Sequence, residues 1–242
     1  LRASDWVDSA LRTLTFVLLP ERCLLCGAAG LPLRDLCGGC LADLVRNESS
    51  CARCASPLPQ PAAACGVCLR RAPAFTATRA PFLYADPLRH LLLRFKLGGE
   101  LACGRVLAES MADTLAPQQP AIDLLVPVPL HRSRLAERGF NQSLELARVI
   151  ARRLGIDCAA SALARSRATP SQTGLDARAR RRNVRGAFVA DARYLAGKRI
   201  ALIDDVITTG ATVRECARVL RGAGAVRVEV WAVARAEARS PH

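Results

Sequence analysis

Eight cysteines in this chain are spaced to hold metal. They form four C-x2-C pairs, Cys23/Cys26, Cys37/Cys40, Cys51/Cys54 and Cys65/Cys68, with ten residues between successive pairs. A C-x2-C pair presents two thiolates to one metal ion from a tight turn, and two pairs complete a tetrahedral zinc site. Four pairs therefore predict two zinc ions. Gly27 after Cys26 suits a knuckle turn, and Cys37–Cys40 runs straight into the helix-like Leu41-Ala42-Asp43-Leu44. This favours sequential pairing, with one ion on Cys23, Cys26, Cys37 and Cys40 and the other on Cys51, Cys54, Cys65 and Cys68. Crossed pairing, first with third and second with fourth, stays open. The even spacing argues against the compact cysteine runs of ferredoxin clusters. Four thiolates leave zinc no open position, so the role is structural, and Glu21 and Glu48 nearby read as solvated surface acids. Cys103, Cys158 and Cys216 are single, lie in apolar surroundings and read as small core residues.

A second group is suited to phosphate. The apolar run Arg199–Ile203 reads as a buried strand ending in two adjacent carboxylates, Asp204 and Asp205. Val206, Ile207, Thr208, Thr209, Gly210, Ala211 and Thr212 follow, and Thr212–Gly222 reads as a helix. Ligands of open α/β sheets bind outside the carboxyl ends of strands. Loop N–H groups and Thr hydroxyls can surround a phosphate with a helix N-terminus behind it. Asp204 and Asp205 can accept hydrogen bonds from two ribose hydroxyls or organise hydrated Mg2+. Neither a G-x4-G-K-[ST] loop nor a G-x-G-x-x-G fingerprint is present. After the apolar Leu124-Leu125-Val126 comes Pro127-Val-Pro129-Leu130-His131-Arg132, a Pro-stiffened turn whose His131, Arg132 and Arg134 suit an anion.

These segments need a scaffold, and the remaining pattern supplies one. Thr76–Tyr84 reads as a strand, at an edge because of Pro81. Leu88–Leu97, Glu100–Leu115 and Asn141–Leu154 read as helices. Asp123–Pro127 and Val226–Ala234 read as strands. Short apolar strands alternating with helices predict a parallel sheet covered on both faces. Residues 1–72 differ, with short segments and Gly/Pro punctuation, so they are expected to form a cysteine module separate from an α/β domain over 73–242. Within the module, Asp5–Leu19 reads as an amphipathic helix with Trp6, Ala10, Leu14 and Val17 near one face.

The chain has 242 residues, 51% hydrophobic but only 4% aromatic, so its core is built from Leu, Val and Ala and disorder is excluded for most of it. Charges interrupt every apolar stretch before the roughly 20 residues of a membrane span. Asp5, Asp8 and the short run Phe16–Leu19 do not make a signal peptide. A reducing cytoplasm is therefore expected, with paired cysteines holding metal instead of forming disulfides. The net charge of +14 attracts polyanions, although the scarcity of lysine (Lys96 and Lys198 only) also points to a codon bias toward Arg. Arg94, Lys96, Arg132, Arg134, Arg138 and the Arg-rich 165–185 stretch can contact phosphates of single-stranded DNA. Phe95 and Phe140 are stacking candidates, with a core role the plainer reading.

The stretch Ile200–Thr212 resembles the phosphoribosyl-diphosphate (PRPP) signature of type I phosphoribosyltransferases. The resemblance implies that Asp204 and Asp205 hold the ribose hydroxyls and that Thr208–Thr212 bind the 5′-phosphate. It also implies that the turn at Pro129, Leu130, His131 and Arg132 binds the diphosphate. The cysteine pairs, the Pro127–Arg132 turn, Arg138-Gly139-Phe140-Asn141-Gln142 and the PRPP signature together resemble the ComF competence-protein family over essentially the whole chain. So does Arg167–Phe188, with Thr169, Gln172, Arg181, Asn183 and Val184. By that resemblance the Arg167–Phe188 stretch is a loop closing over the reaction centre, with Arg167, Arg178, Arg181 and Arg182 as diphosphate contacts. The family implies zinc, Mg2+ and PRPP, and a role in single-stranded DNA uptake during natural transformation. A DNA-uptake helicase or transport component is then a possible partner, reached at the inner face of the membrane. Two alternatives remain: an active transferase acting on a nitrogenous acceptor, and an accessory role in gluconate use or iron–sulfur maturation like that of a close relative.

Overall fold

The computed structural model describes residues 21–118, 121–167 and 182–237. The Asp5–Leu19 helix and the loop candidates Arg178 and Arg181 lie outside them. In chain order the elements are α1 (Gly38–Ala42), α2 (Gly66–Arg70), β1 (Ala77–Arg79), β2 (Phe82–Leu83), α3 (Leu88–Gly98), α4 (Leu101–Leu115), β3 (Leu124–Pro127), α5 (Arg132–Arg138) and α6 (Gln142–Leu154). Then come β4 (Leu163–Arg165), β5 (Phe188–Ala190), α7 (Ala192–Leu195), β6 (Arg199–Ile207), α8 (Ala211–Gly222) and β7 (Arg227–Arg235).

β6 and β7 lie at the centre of a parallel sheet ordered β1-β7-β6-β3, and β2 also pairs with β7. Period-two alternation divides the sheet between two apolar cores. Leu125, Ala201, Ile203, Trp231 and Val233 face α3, α4 and α6. Val126, Ile200, Leu202, Val228 and Val230 face α8 and the antiparallel β4–β5 pair. Because both faces are covered, these strands read as continuous apolar runs. The helices stop where their sequences say they should: Asn141 caps α6 with Oδ1 accepting from the Ser143 N–H at 3.1 Å, and Gly155 ends it in the left-handed conformation.

Two expectations need correction. The strand expected over Thr76–Tyr84 is two strands, because Ala80-Pro81 interrupts the ladder where Pro has no N–H to give. β6 does not end at Ile203 but continues through both carboxylates to Ile207, held by β7 in the register Val206↔Ala234 and Ile207↔Arg235. Phe95 takes the plainer core role, fully buried against Phe140 with ring centroids 5.5 Å apart. Cys103 and Cys216 are buried as expected and Cys158 is half-buried.

The cysteine segment packs directly on the sheet-and-helix body. Leu36 and Leu44 join the core on the α3/α4 side, and the Thr78 N–H donates to the Ala52 carbonyl at 3.2 Å. Among the described residues no helix is long and apolar enough to cross a membrane.

Candidate phosphate site and metal centres

The two cysteine groups assemble sequentially. The sulfurs of Cys23, Cys26, Cys37 and Cys40 all lie within 4.8 Å of one another, and so do those of Cys51, Cys54, Cys65 and Cys68. Each group draws on a knuckle turn and the start of a short helix. Cys37 caps α1, its sulfur accepting from the Cys40 N–H at 3.4 Å, and Cys65 precedes α2. Burial opposes ionisation of Cys23 and Cys65, yet hydrogen bonds from backbone N–H groups and neighbouring thiols bring these thiols down to about 6 and about 7. Burial and neighbouring thiols push Cys40 and Cys54 far up. Four sulfurs this close cannot all ionise without a cation among them, so the donor sets fit tetrahedral zinc. Bound zinc would close each knuckle as a structural cross-link.

At the carboxyl end of β6 the chain builds a cleft of about 230 Å³. Its walls hold Asp204, Asp205, the whole Val206–Thr212 segment, and Pro129 and Leu130 from the turn after β3. Gly210 occupies the left-handed region (φ 72°), which lets the loop turn sharply into α8. The Thr209 hydroxyl accepts from the Ala211 N–H at 3.4 Å. The loop thus leads into the N-terminus of a helix, where backbone donors converge.

The carboxylates are held differently. Asp205 pairs with Lys96 of α3, Nζ to Oδ2 at 2.8 Å. Burial works against the Lys96 ammonium, but Asp205 and then Asp204 keep its pKa above the ordinary value. Asp204 accepts from the Asp205 N–H at 3.0 Å and from the Ser143 hydroxyl at 3.3 Å, both on Oδ1. Burial and the Asp205 charge nevertheless push Asp204 up to about 7. A carboxyl poised near neutrality at a strand end is the kind of group found at ligand sites.

The structure departs from the expected set at the second turn. His131 and Arg132 do not line the cleft: His131 caps α5, its Nδ1 3.3 Å from the Ser133 N–H. The cleft instead takes Arg134 and Arg138 from α5, one helical turn apart, together with Arg165, Gln142 and Ser143. Arg167 donates to the carbonyls of Asn183 and Arg185 at 3.2 and 2.8 Å, and Arg182 is exposed. Arg94, a candidate DNA contact, is taken up by Glu100 (Nε to Oε1, 3.0 Å) and the Leu24 carbonyl, and Lys96 by Asp205. Lys96, expected as a DNA contact, instead lines the cleft, where its pairing with Asp205 has no signal in the sequence.

Residues 14–69 match the double zinc ribbon domain and residues 141–242 the phosphoribosyl transferase domain. The chain is 33% identical over 223 residues to competence protein F of Haemophilus influenzae, covering 89% of this chain and 97% of that protein. It belongs to the competence protein F family. Another relative is the DNA utilization protein YhgH of Salmonella typhi, 34% identical over 90% of this chain and 98% of its own length. Competence protein ComFC of Streptococcus pneumoniae is 27% identical over 88% of this chain and the whole of that protein. The parallel sheet is accordingly of the phosphoribosyltransferase type. A crystal structure of APRTase from Giardia lamblia covers 60% of this chain at 16% identity, but a TM-score of 0.38 is too loose to carry residues across. The zinc ribbon match thus spans all eight paired cysteines, and the transferase match spans β6 and the Thr/Gly loop.

Proposed function

We propose that this competence protein F homologue binds PRPP with Mg2+ in the β6 cleft and serves the uptake or processing of single-stranded DNA. One observation carries the reading: two adjacent carboxylates and a Thr/Gly loop at a helix N-terminus share one cleft with Arg134, Arg138 and Arg165. The 5′-phosphate would sit on Thr208–Thr212, and Asp204 and Asp205 would accept from the two ribose hydroxyls. The diphosphate would lie toward Pro129 and Leu130, within the field of Arg134 and Arg138. The adjacent acids suit Mg2+ held through water, which would supply charge neutralisation at the diphosphate. Arg167, Arg178, Arg181 and Arg182 are the candidates to close over it. The two cysteine centres would carry structural zinc.

The DNA setting is supported by the relatives' names, a competence protein and a DNA utilization protein, and by the +14 charge. Cysteine pairs arranged as metal donor sets support a cytoplasmic location, with a helicase or transport component as the partner that brings the chain to the membrane face. Calorimetry with PRPP and Mg2+ tests the cleft, with diphosphate release followed in the same samples. Binding that disappears in the Asp204→Asn/Asp205→Asn variant is expected. Absence of binding to the wild-type chain refutes the reading, whereas acceptor-dependent diphosphate release would favour an active transferase. Affinity for single-stranded DNA is expected to fall steeply with salt, because phosphate contacts release counterions. Salt-independent affinity would refute the electrostatic contact.

A further inference from the structure

Two arginines join the second cysteine centre to the Thr/Gly loop. Arg235 closes β7 and is only 6% exposed. Its Nη1 donates to the Ile207 carbonyl at 2.7 Å and to the carbonyl of Thr208, the first loop residue. Its Nε is buried with no hydrogen-bond partner. Burial works against the Arg235 charge, the thiols of Cys54, Cys65 and Cys68 act to keep it, and Arg214 opposes it. Arg214 lies in the first turn of α8, its N–H donating to the Gly210 carbonyl at 3.0 Å. Its Nη2 is 3.7 Å from the Cys68 sulfur, and its Nη1 donates to the Arg71 carbonyl at 3.4 Å. The guanidinium lies over the Phe75 ring, 5.7 Å from its centroid. At the first centre, by contrast, Arg22 and Arg94 donate to the carbonyls of Gly27 and Leu24.

Four thiolates around Zn2+ leave a surplus of negative charge. The Arg214 guanidinium stands against that surplus at the Cys68 sulfur, and the Arg235 guanidinium, within the field of the same thiols, holds the loop carbonyls. Arg235 grips the carbonyls where the loop begins, and Arg214 belongs to the helix turn where it ends. We propose that Arg214 and Arg235 are positioning residues through which metal at Cys51, Cys54, Cys65 and Cys68 sets the geometry, and hence the phosphate affinity, of the Thr208–Thr212 loop. The inference rests on the phosphate reading of that loop. Loss of the metal lets the freed thiolates take up protons, which lowers the negative charge facing the two guanidinium groups, and a poorly compensated buried charge is costly enough to rearrange its surroundings. Arg235 then gives up its loop carbonyls to reach water. By linkage the effect is reciprocal: a ligand that favours the braced loop must tighten metal binding at the second centre by the same factor.

The test uses the zinc-loaded full chain, competed with a chromophoric chelator in the presence and absence of saturating PRPP–Mg2+. Ligand occupancy is verified by calorimetry on the same sample. One zinc ion is expected to be held about tenfold more tightly with ligand, and the other unchanged. Arg214→Gln should abolish the gain, and Arg214→Lys should retain part of it. Bound ligand with both zinc affinities unchanged overturns the coupling and leaves the phosphate reading intact. An equal gain in Arg214→Gln also overturns it. No ligand binding by the wild-type chain overturns both readings. If Arg214→Gln fails to fold by circular dichroism, Arg235→Lys replaces it, and an undiminished gain there refutes the bracing.

Discussion

Replacing Asp204 by Asn should make this protein more stable at pH 8 while emptying its cleft. Asp204 titrates at about 7 instead of the ordinary 3.8, because burial and the Asp205 charge oppose its ionisation. In the unfolded chain the proton is gone by pH ~4, whereas the folded chain keeps it to about 7. The folded state therefore binds the extra proton, and its stability falls as pH rises from ~4 to ~7. At about 1.36 kcal/mol per pKa unit the full penalty is roughly 4 kcal/mol. Asp204 is partly open to the cleft, so water screens the charge, and about 2 kcal/mol is the expected loss at pH 8. Asn removes this penalty at little structural cost. Both native hydrogen bonds, from the Asp205 N–H and the Ser143 hydroxyl, go to Oδ1, which an amide oxygen replaces. For a chain of this length ~2 kcal/mol corresponds to a rise in Tm of about 5 °C. Thermal and urea unfolding of both proteins at pH 5 and pH 8 measure the effect, and calorimetry measures PRPP–Mg2+ binding. The variant should gain stability over wild type chiefly at pH 8 and lose ligand affinity. A variant no more stable than wild type at pH 8, or a difference independent of pH, would refute the reasoning.

Lys96→Gln should weaken ligand binding and move its pH dependence upward. The Lys96 charge is one of the influences holding Asp204 down, so its loss should raise the pH of half-maximal PRPP–Mg2+ affinity by about one unit. An unshifted profile would remove Lys96 from the cleft's electrostatics. Gly104→Ala tests the α3–α4 packing: an added Cβ would overlap the ring of Phe95. Overpacking of that kind costs about 1–3 kcal/mol, so a Tm drop of several degrees is expected and an unchanged Tm would refute the contact.

The cysteine centres and the loop were legible in sequence because each is local. A C-x2-C knuckle and a strand–loop–helix unit are written in consecutive residues, and the regular ten-residue spacing left only the pairing scheme open. The structure settles on sequential groups because each chain of knuckle, short helix and next knuckle closes on itself before the sheet begins. Element types were legible for the same reason: α3, α4 and α6 carry apolar residues at helical spacing, and β3, β6 and β7 are unbroken apolar runs. The boundaries that failed were set by partners. Asp204 and Asp205 look like the end of a strand because carboxylates are poor strand residues, but β7 supplies ladder partners as far as Ile207.

What sequence could not show is how charge is balanced across the fold. Lys96 stands on α3 more than a hundred residues before Asp205, and no periodicity predicts that the first parallel crossover will lay that helix beside the end of β6. Arg235 is less visible still, a charged residue terminating an apolar strand, where solvation is the default expectation. It is buried with its guanidinium donating to the carbonyls of Ile207 and Thr208, acceptors that lie 28 and 27 residues away in sequence. In each case the cation lies at the end of an apolar element, and the anion or acceptor that holds it comes from a different segment. A basic excess read as one diffuse surface field is therefore partly internal: Lys96, Arg214 and Arg235 are committed to the cleft and the metal centre. The pairing leaves the net +14 unchanged, since Asp205 is already counted in it, but fewer of the cations face solvent, where polyanions would meet them.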